Sequence, residues 1–579
     1  MINLEKFYQS GCFQGDFLIS TKKSTDLTNR FKALRFNAVE TNNYSLFTKG
    51  FDFPVKTGDI LFSGYAYTKN KNCNHLVTGP CTIDQEDISP QGEYYTLNII
   101  SKSEISIKTD TFGMYPIFYN DFLISNRLQL IYFALKELNQ LHIFDAAING
   151  CFLIENAFSQ QQISYQTPID GVYKLSHNRY IYLSEGKVLA IDKKTVPYNA
   201  GDEEEYWNHI DKAAEEICGS LEAILNSSVQ PRMALTGGKD SRVAYAALVA
   251  MGRVDDVQLV TLDVGNDRSI ASGLVEKFGG HYKKNESIQS VLITNFEENL
   301  ERFFSHYFFN RFYFPDFQLC DVLYTSQERE YLIGGLGGEI YRDFYRKIGF
   351  KLPHGRYSAQ ELCQFFQHTT QIEDDIVFKS AFSLAESAFE NLSGETFSDK
   401  LNSHYLEFRN VYHFGARLNK LNKLDVSPLL SEELYLASRI LPDEVRDCGR
   451  VLFDITKRLC EEMAYCQYDT LSEDYSKIKF HKKSKYDGLV VPLKPNLDLY
   501  KDEANTKLSI ATKVNLFEKK RKILTSLIEK LNKINNKHFL VTDKFIRRMN
   551  FLLDKKSRLI DKYLIALIYE LDLKKKDIK

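Results

Sequence analysis

The run Met233-Ala-Leu-Thr-Gly-Gly-Lys-Asp-Ser-Arg242 constrains the fold more than any other stretch. An apolar strand leads through paired glycines directly into a carboxylate, a hydroxyl and the small-residue segment Val243-Ala-Tyr-Ala-Ala-Leu-Val-Ala250. Gly237 and Gly238 have access to backbone angles closed to other residues, so successive N–H groups can converge on one anion. A helix predicted to start near Asp240 would present free N–H groups and a positive dipole end to a phosphate, with the Ser241 hydroxyl as a further donor. Small residues suit that helix to packing on a sheet. The spacing is not the Gly-x-x-x-x-Gly-Lys-Ser/Thr of kinases and GTPases. An ordinary Gly-Gly turn is the alternative, and the Asp-Ser-Arg at the right offset argues against it.

The segment resembles the Ser-Gly-Gly-x-Asp-Ser loop of the ATP pyrophosphatase family, with Thr236 keeping a hydroxyl in place of the first serine. The resemblance implies ATP cleavage between the α and β phosphates, with Thr236, Gly237, Gly238, Asp240, Ser241 and Arg242 on the nucleotide side. Val257-Gln-Leu-Val-Thr-Leu-Asp-Val-Gly265 is similar to that family's second strand, whose backbone receives adenine. Leu235, Thr261, Leu262 and Gly265 are the implied adenine-side positions. Ile270–Gly280 then reads as a helix with a glycine stop, giving a further strand–helix unit and an α/β parallel sheet with helices on both faces.

Tyr331-Leu-Ile-Gly-Gly-Leu-Gly-Gly-Glu-Ile340 resembles the Gly-Glu-Gly-Ser-Asp-Glu motif of asparagine synthetases. Gly335 joins the implied nucleotide site, and Glu339 falls where that motif places an aspartate. Cleaving ATP requires a divalent cation to neutralise the phosphates, and oxygen ligands from separate strand ends suit Mg²⁺. Asp240 and Glu339 are the implied ligands, with ATP and Mg²⁺ as cofactors. Leu336 stands where asparagine synthetases carry glutamate and β-lactam synthetases tyrosine, and leucine cannot accept a proton. A base must come from elsewhere, with Tyr341, Asp343 and Tyr345 nearby in sequence, or the amine must arrive deprotonated.

Before the loop, β-branched and aromatic runs such as Asp59–Tyr67 and Tyr94–Ile100 predict strands and a two-sheet domain. Ile107-Lys-Thr-Asp-Thr-Phe-Gly-Met-Tyr-Pro-Ile-Phe-Tyr119 and Leu123-Ile-Ser-Asn-Arg127 look like segments of the class II glutamine amidotransferase domain. Asp145–Gly150 and Thr167–Leu175 look like its closing helix and last hairpin. Joined to the loop, these segments give the domain order of asparagine synthetase and its relatives. Active glutaminases of this class expose a cysteine after the initiator methionine, whereas this chain has Ile2, and Cys12 is the nearest thiol. Isoleucine cannot replace a nucleophilic thiol, so a glutaminase-inactive domain is expected. β-Lactam synthetases and lasso-peptide cyclases, which also lack the cysteine, use an amine already on the substrate.

Glu407–Gly415, Val426–Leu434 and Leu441–Glu444 resemble the synthetase region around an Arg…Pro-Phe-Leu-Asp signature, with Ser431 replacing the aspartate. Arg409 and His413 are the implied substrate-side groups. Phe480–Pro492 looks like a late Arg-x-Lys-x-Gly-Phe-x-x-Pro loop, whose lysine would stabilise charge on departing pyrophosphate. Lys485 matches it best and Lys483 second; a solvated basic loop is the alternative.

The implied architecture is an α+β sandwich of Ntn-hydrolase type over 1–200, an α/β parallel-sheet ATP-pyrophosphatase domain over 201–495, and a basic helical extension over 496–579. From Lys501 onward the chain carries 21 basic against 10 acidic residues, although its net charge is −2. That balance argues against bulk nucleic-acid binding. The extension has helical apolar spacing suited to packing back on the synthetase domain or to docking a peptide-supplying or carrier protein partner. Ten cysteines without a Cys-x-x-Cys pair predict reduced thiols, and no apolar run approaches a membrane span. A cytoplasmic location is expected. The expected reaction is adenylation of a small-molecule or peptide carboxylate, followed by attack of an amine or ammonia to form an amide. Peptide macrolactam closure and amidation of a small acid both fit, as does the contrasting reading of a degenerate nucleotide-binding subunit.

Overall fold

The computed structural model describes residues 14–70, 73–83, 88–142, 162–193, 201–227, 230–261, 266–282, 330–342, 344–345, 355–370, 375–411, 423–469 and 480–495, with four single positions after residue 520. Ile2, Cys12, the 145–150 segment, Leu262, Gly265, Asp343, His413 and nearly all of the 496–579 extension therefore lie outside the described residues.

Antiparallel pairing dominates the first part of the chain. Its strands are β1 (Asp16–Ser20), β2 (Asn37–Glu40), β3 (Ser45–Lys49), β4 (Ile60–Asn70), β5 (Cys73–Thr78), β6 (Cys81–Ile83), β7 (Gly92–Ile99), β8 (Glu104–Thr109), β9 (Phe118–Tyr119), β10 (Leu123–Ser125), β11 (Tyr173–Lys174), β12 (Arg179–Ser184) and β13 (Lys187–Asp192). One sheet has the order β11-β9-β10-β1-β3-β2; the other runs β13-β12-β8-β7-β4-β5, with β6 also on β4. The period-two pattern explains their stacking. Alternate residues of β8, Ile105 and Ile107, face inward with Leu97 of β7 and Ile181 and Leu183 of β12, and meet Phe17, Ile19 and Leu46 of the other sheet in one core.

The turn after β8 is built by one carboxylate. Asp110 accepts N–H bonds from Phe112, Met114 and Tyr115, each at 3.0 Å. Gly113 there has φ +60°, and a Cβ would sit 2.9 Å from that of His177, so the motif's glycine answers both to conformation and to space. Burial raises the Asp110 carboxyl to about 6 despite these donors.

The later part is a parallel sheet with helices. β14 (Arg232–Ala234), β15 (Gln258–Val260), β16 (His281–Tyr282), β17 (Glu330–Ile333) and β18 (Lys423–Val426) all pair in parallel, in the order β16-β15-β14-β17-β18. Five helices frame this sheet and its loops: α1 (Glu203–Leu225), α2 (Lys239–Ala250), α3 (Asp267–Phe278), α4 (Glu432–Ile440) and α5 (Arg450–Leu459). The small residues of α2 let it lie buried along most of its length, and α3 stops at Gly279 with φ +94°. The molecule is thus mixed α/β, antiparallel first and parallel later.

A single apolar cluster joins the two parts, running from Tyr65, Phe112 and Met114 through Tyr206 and Ile217 of α1 to Met233, Ala247 and Leu452. Ion pairing reinforces it. Glu407, 1% exposed, takes Lys174 Nζ at 2.8 Å, His177 Nδ1 at 2.7 Å and the His177 N–H at 3.2 Å, and it also accepts from Ser176 Oγ. Burial pushes this carboxyl up, but Lys174 and His177 overcome that and hold it well below the usual range. Among the described residues no helix is long and apolar enough to cross a membrane, and Cys81, Cys218, Cys363, Cys448, Cys460 and Cys466 are free thiols.

Candidate functional site

In sequence order the parallel strands stand 3-2-1-4-5, so the chain reverses direction across the sheet between β14 and β17. Connections leaving those two strands go to opposite sides, which opens a crevice at their carboxyl ends. The two glycine-rich loops lie at those ends. Gly237-Gly238 follows β14, and Gly334-Gly335-Leu336-Gly337-Gly338 follows β17.

The first loop is held by short-range bonds. Ser241 Oγ accepts the Thr236 N–H at 3.1 Å and lies 3.0 Å from Thr236 Oγ1, which in turn accepts the Gly238 N–H at 3.3 Å. Gly238 is the N-cap of α2 and supplies no side-chain cap. The Gly237 N–H is taken by Asp267 Oδ1 at 2.9 Å, from the first turn of α3. Asp469 returns to the same loop, donating its N–H to the Gly237 carbonyl at 3.1 Å. Leu235 is wholly buried and its N–H bonds the Val260 carbonyl at 2.9 Å, which sets Thr261 beside it at the end of β15.

The second loop closes on the first at backbone contact. A Cβ on Gly335 would lie 2.5 Å from the Ser241 nitrogen, and one on Gly338 would lie 2.8 Å from Asp240 Cβ and closer still to its carboxylate. Only glycine permits that approach. Glu339 and Asp240 consequently share one neighbourhood, although 99 positions separate them in sequence (339 − 240). Arg342 joins them: its Nη2 lies 2.5 Å from Asp240 Oδ2 and 3.7 Å from Glu339 Oε1. Burial opposes the charge on Arg342, but Asp240 and then Glu339 outweigh it and raise its pKa. The buried Asp240 Oδ1 has no hydrogen-bond partner.

Two carboxylates from separate strand ends, one with an oxygen to spare, fit the donor set Mg²⁺ takes alongside phosphate and water oxygens. Among the described residues no group of three or more His, Cys, Asp or Glu could hold a metal ion. Beyond these two carboxylates, phosphate and water oxygens would complete the shell of a cation here.

The Arg242 side chain points away from the crevice, while its Nη2 also reaches back to the Gly237 carbonyl at 3.4 Å. Its side chain is fully buried, lies 3.6 Å from the Tyr468 ring centroid, and donates to the carbonyls of Cys466 at 2.9 Å and Gln467 at 2.6 Å. Those bonds pin the 466–467 segment under the loop, and the guanidinium is committed to them. Arg409 is buried with its guanidinium 4.5 Å from the Phe344 ring, which stacks on Tyr405. Tyr405 feels the charges of Glu339, Arg409 and Arg342, so this stack borders the carboxylate pair. Lys483 and Lys485 are exposed, and Lys485 Nζ lies 5.0 Å from the ring of its neighbour Tyr486. No described contact ties either lysine to the glycine loops. Ser431 caps α4, accepting the Leu434 N–H at 3.0 Å. Leu336 packs on the main core, with its carbonyl bonded by Ser427 Oγ. Tyr341 and Tyr345, considered as replacement bases, are buried at 0% and 1% exposure.

Sequence reasoning missed Arg342, Asp267 and Asp469. Only Asp267 carried a local signal, as an acidic residue in the first turn of a helix following a strand. Two cavities of about 610 and 660 Å³ lie elsewhere, along the seam between the antiparallel and parallel parts, and share His177, Asn178, Lys193 and Ser393. No family model matches the chain, and no curated protein matches it.

Proposed function

We propose that the chain is an ATP-dependent amide-forming ligase of the asparagine synthetase type, with an Ntn-hydrolase-like first domain and an ATP-pyrophosphatase second domain. The observation that carries this reading is the meeting of the Gly237-Gly238 and Gly334–Gly338 loops around Asp240 and Ser241 at the β14/β17 crossover. Such a crevice, with a helix N-terminus at its floor, favours a bound phosphate.

In this reading the α2 amino terminus and the Ser241 hydroxyl bind the pyrophosphate end of ATP, and the backbone beside Leu235 and Thr261 receives the base. Asp240 and Glu339 would hold Mg²⁺, which when bound neutralises the phosphates. A substrate carboxylate attacks the α-phosphorus and pyrophosphate leaves; an amine then attacks the acyl carbon and AMP departs, its pKa making it a far better leaving group than oxide. Leu336 contributes no base, which favours an amine that arrives deprotonated. Arg409, beside Tyr405, is suited to orient the carboxylate.

The test is Mg²⁺-dependent ATP–pyrophosphate exchange with a pool of carboxylate metabolites and short peptides. Exchange abolished by Asp240→Ala supports adenylation; nucleotide binding without exchange across authentic candidate acids would favour a non-catalytic nucleotide-binding subunit.

A further inference from the structure

Arg342 occupies the position between two carboxylates that a divalent cation would bridge. Its Nη2 is 2.5 Å from Asp240 Oδ2 and 3.7 Å from Glu339 Oε1, and its side chain is only 9% exposed. The pocket around it is negative from several elements, since Asp240, Glu339 and Asp469 all favour its charge. Lys239, the first residue of α2, donates to the Cys448 carbonyl at 2.9 Å. A dication bound to Asp240 would stand within a few ångströms of the guanidinium, where repulsion in a buried setting is severe. Cation and guanidinium therefore compete for the same pair of carboxylates, even though Asp240 Oδ1 itself carries no hydrogen bond.

An anion entering the crevice would offer the guanidinium an alternative partner. Its Nε is buried with no hydrogen-bond partner, so the group has donor capacity left, and a planar guanidinium matches phosphate oxygens in bidentate geometry. We propose that Arg342 is an internal counter-ion that closes the Asp240/Glu339 pair to free divalent cation, so that cation enters together with a polyphosphate that draws the guanidinium off the carboxylates. Binding is thereby ordered: cation alone meets an occupied seat, and nucleotide alone leaves the carboxylates without their counter-charge. The order protects the adenylation site from idle metal. This inference rests on the ligase reading for the identity of the polyphosphate, but the closing of the pair does not.

The experiment is Mn²⁺ binding to the full chain, read as loss of the free hexa-aquo Mn²⁺ EPR signal, with and without the non-cleavable α,β-methylene analogue of ATP. After correction for Mn²⁺ chelated by the analogue in a protein-free control, wild type should bind Mn²⁺ weakly alone and at least about tenfold more tightly with the analogue. Arg342→Met should bind Mn²⁺ at least about tenfold more tightly than wild type without nucleotide, and lose most of the nucleotide dependence. Adding Asp240→Asn to Arg342→Met should abolish the gain, assigning it to this pair. Arg342→Gln carries the same comparison should the methionine variant not fold. Equal Mn²⁺ affinity of wild type and both Arg342 variants without nucleotide overturns the proposal, even if the analogue binds and the ligase reading survives. A gain in Mn²⁺ affinity with no analogue binding to any form upholds the counter-ion and overturns the ligase reading.

Discussion

Two buried ionic clusters in this molecule resemble each other in composition and differ in completeness. Around Glu407, a lysine ammonium, a histidine ring nitrogen, a hydroxyl and a backbone N–H all converge on one carboxylate, and neither oxygen is left over. Around Asp240, one guanidinium serves two carboxylates, and Asp240 Oδ1 and Arg342 Nε are both without partners. A buried polar group without a partner costs free energy, so a saturated cluster serves the fold while an unsaturated one is retained for something that arrives later. The Glu407 cluster ties Lys174, Ser176 and His177 of the antiparallel part to the helical region of the parallel part. The Asp240 cluster lies where two glycine loops have been brought to contact.

The sharpest way to break this contrast is to remove the saturated carboxylate. Glu407→Ala leaves Lys174 buried and uncompensated, and should cost about 3–5 kcal/mol of unfolding free energy in urea denaturation. Mn²⁺ uptake should not change. A cost under about 1 kcal/mol would mean that the cluster is not a structural tie.

A second test uses pH. His404, one turn before Glu407, is fully buried, with Nε2 3.3 Å from the Ile163 carbonyl and Nδ1 3.3 Å from the Tyr345 hydroxyl. Those partners suit the neutral ring, donating through Nε2 and accepting at Nδ1. Burial lowers its pKa from 6.5 to about 3. The neutral ring's stability is fully present above the unfolded pKa and is lost as pH falls from about 6.5 toward 3, amounting to about 2 kcal/mol by pH 5. The His404 contribution should appear as a pH-dependent difference between the melting curves of wild type and His404→Gln, shrinking by about 2 kcal/mol between pH 7 and 5. Asp110, raised to about 6, acts in the opposite sense by favouring the protonated fold between about pH 4 and 6. Asp110→Asn should therefore steepen the acid loss.

At the unsaturated cluster, smaller stability effects should accompany larger binding effects. Gly338→Ala forces a methyl group against the Asp240 carboxylate and should cost about 1–3 kcal/mol while abolishing nucleotide-dependent Mn²⁺ uptake. Asp240→Asn keeps shape and one acceptor, and should cost only about 1 kcal/mol because Glu339 still faces Arg342, yet remove the same uptake. Loss of stability as large as for Glu407→Ala would erase the distinction between the clusters.

Much of the local architecture was legible in the chain. The Asp59–Tyr67 and Tyr94–Ile100 runs form the paired strands β4 and β7, the antiparallel-then-parallel order follows the change in apolar period, and the strand–Gly-Gly–helix unit lies at 232–250. Within the candidate site, residues close in sequence are also close in space, Thr236 Oγ1 lying 3.0 Å from Ser241 Oγ. The direction of the Arg242 side chain was not legible, because it is set by Tyr468 and the 466–467 carbonyls some 225 positions away.

By itself, then, the sequence determined what depends on near neighbours: period-two burial in the strands, the glycine turns, the helix start after Gly238 and its small-residue face. Tertiary structure alone decided which charges meet. Arg342 reaches Asp240 across 102 positions, and Lys174 reaches Glu407 across 233. Such pairs carry no periodic signature, because the chain enters the low-dielectric interior from unrelated elements and only packing fixes which carboxylate each cation finds.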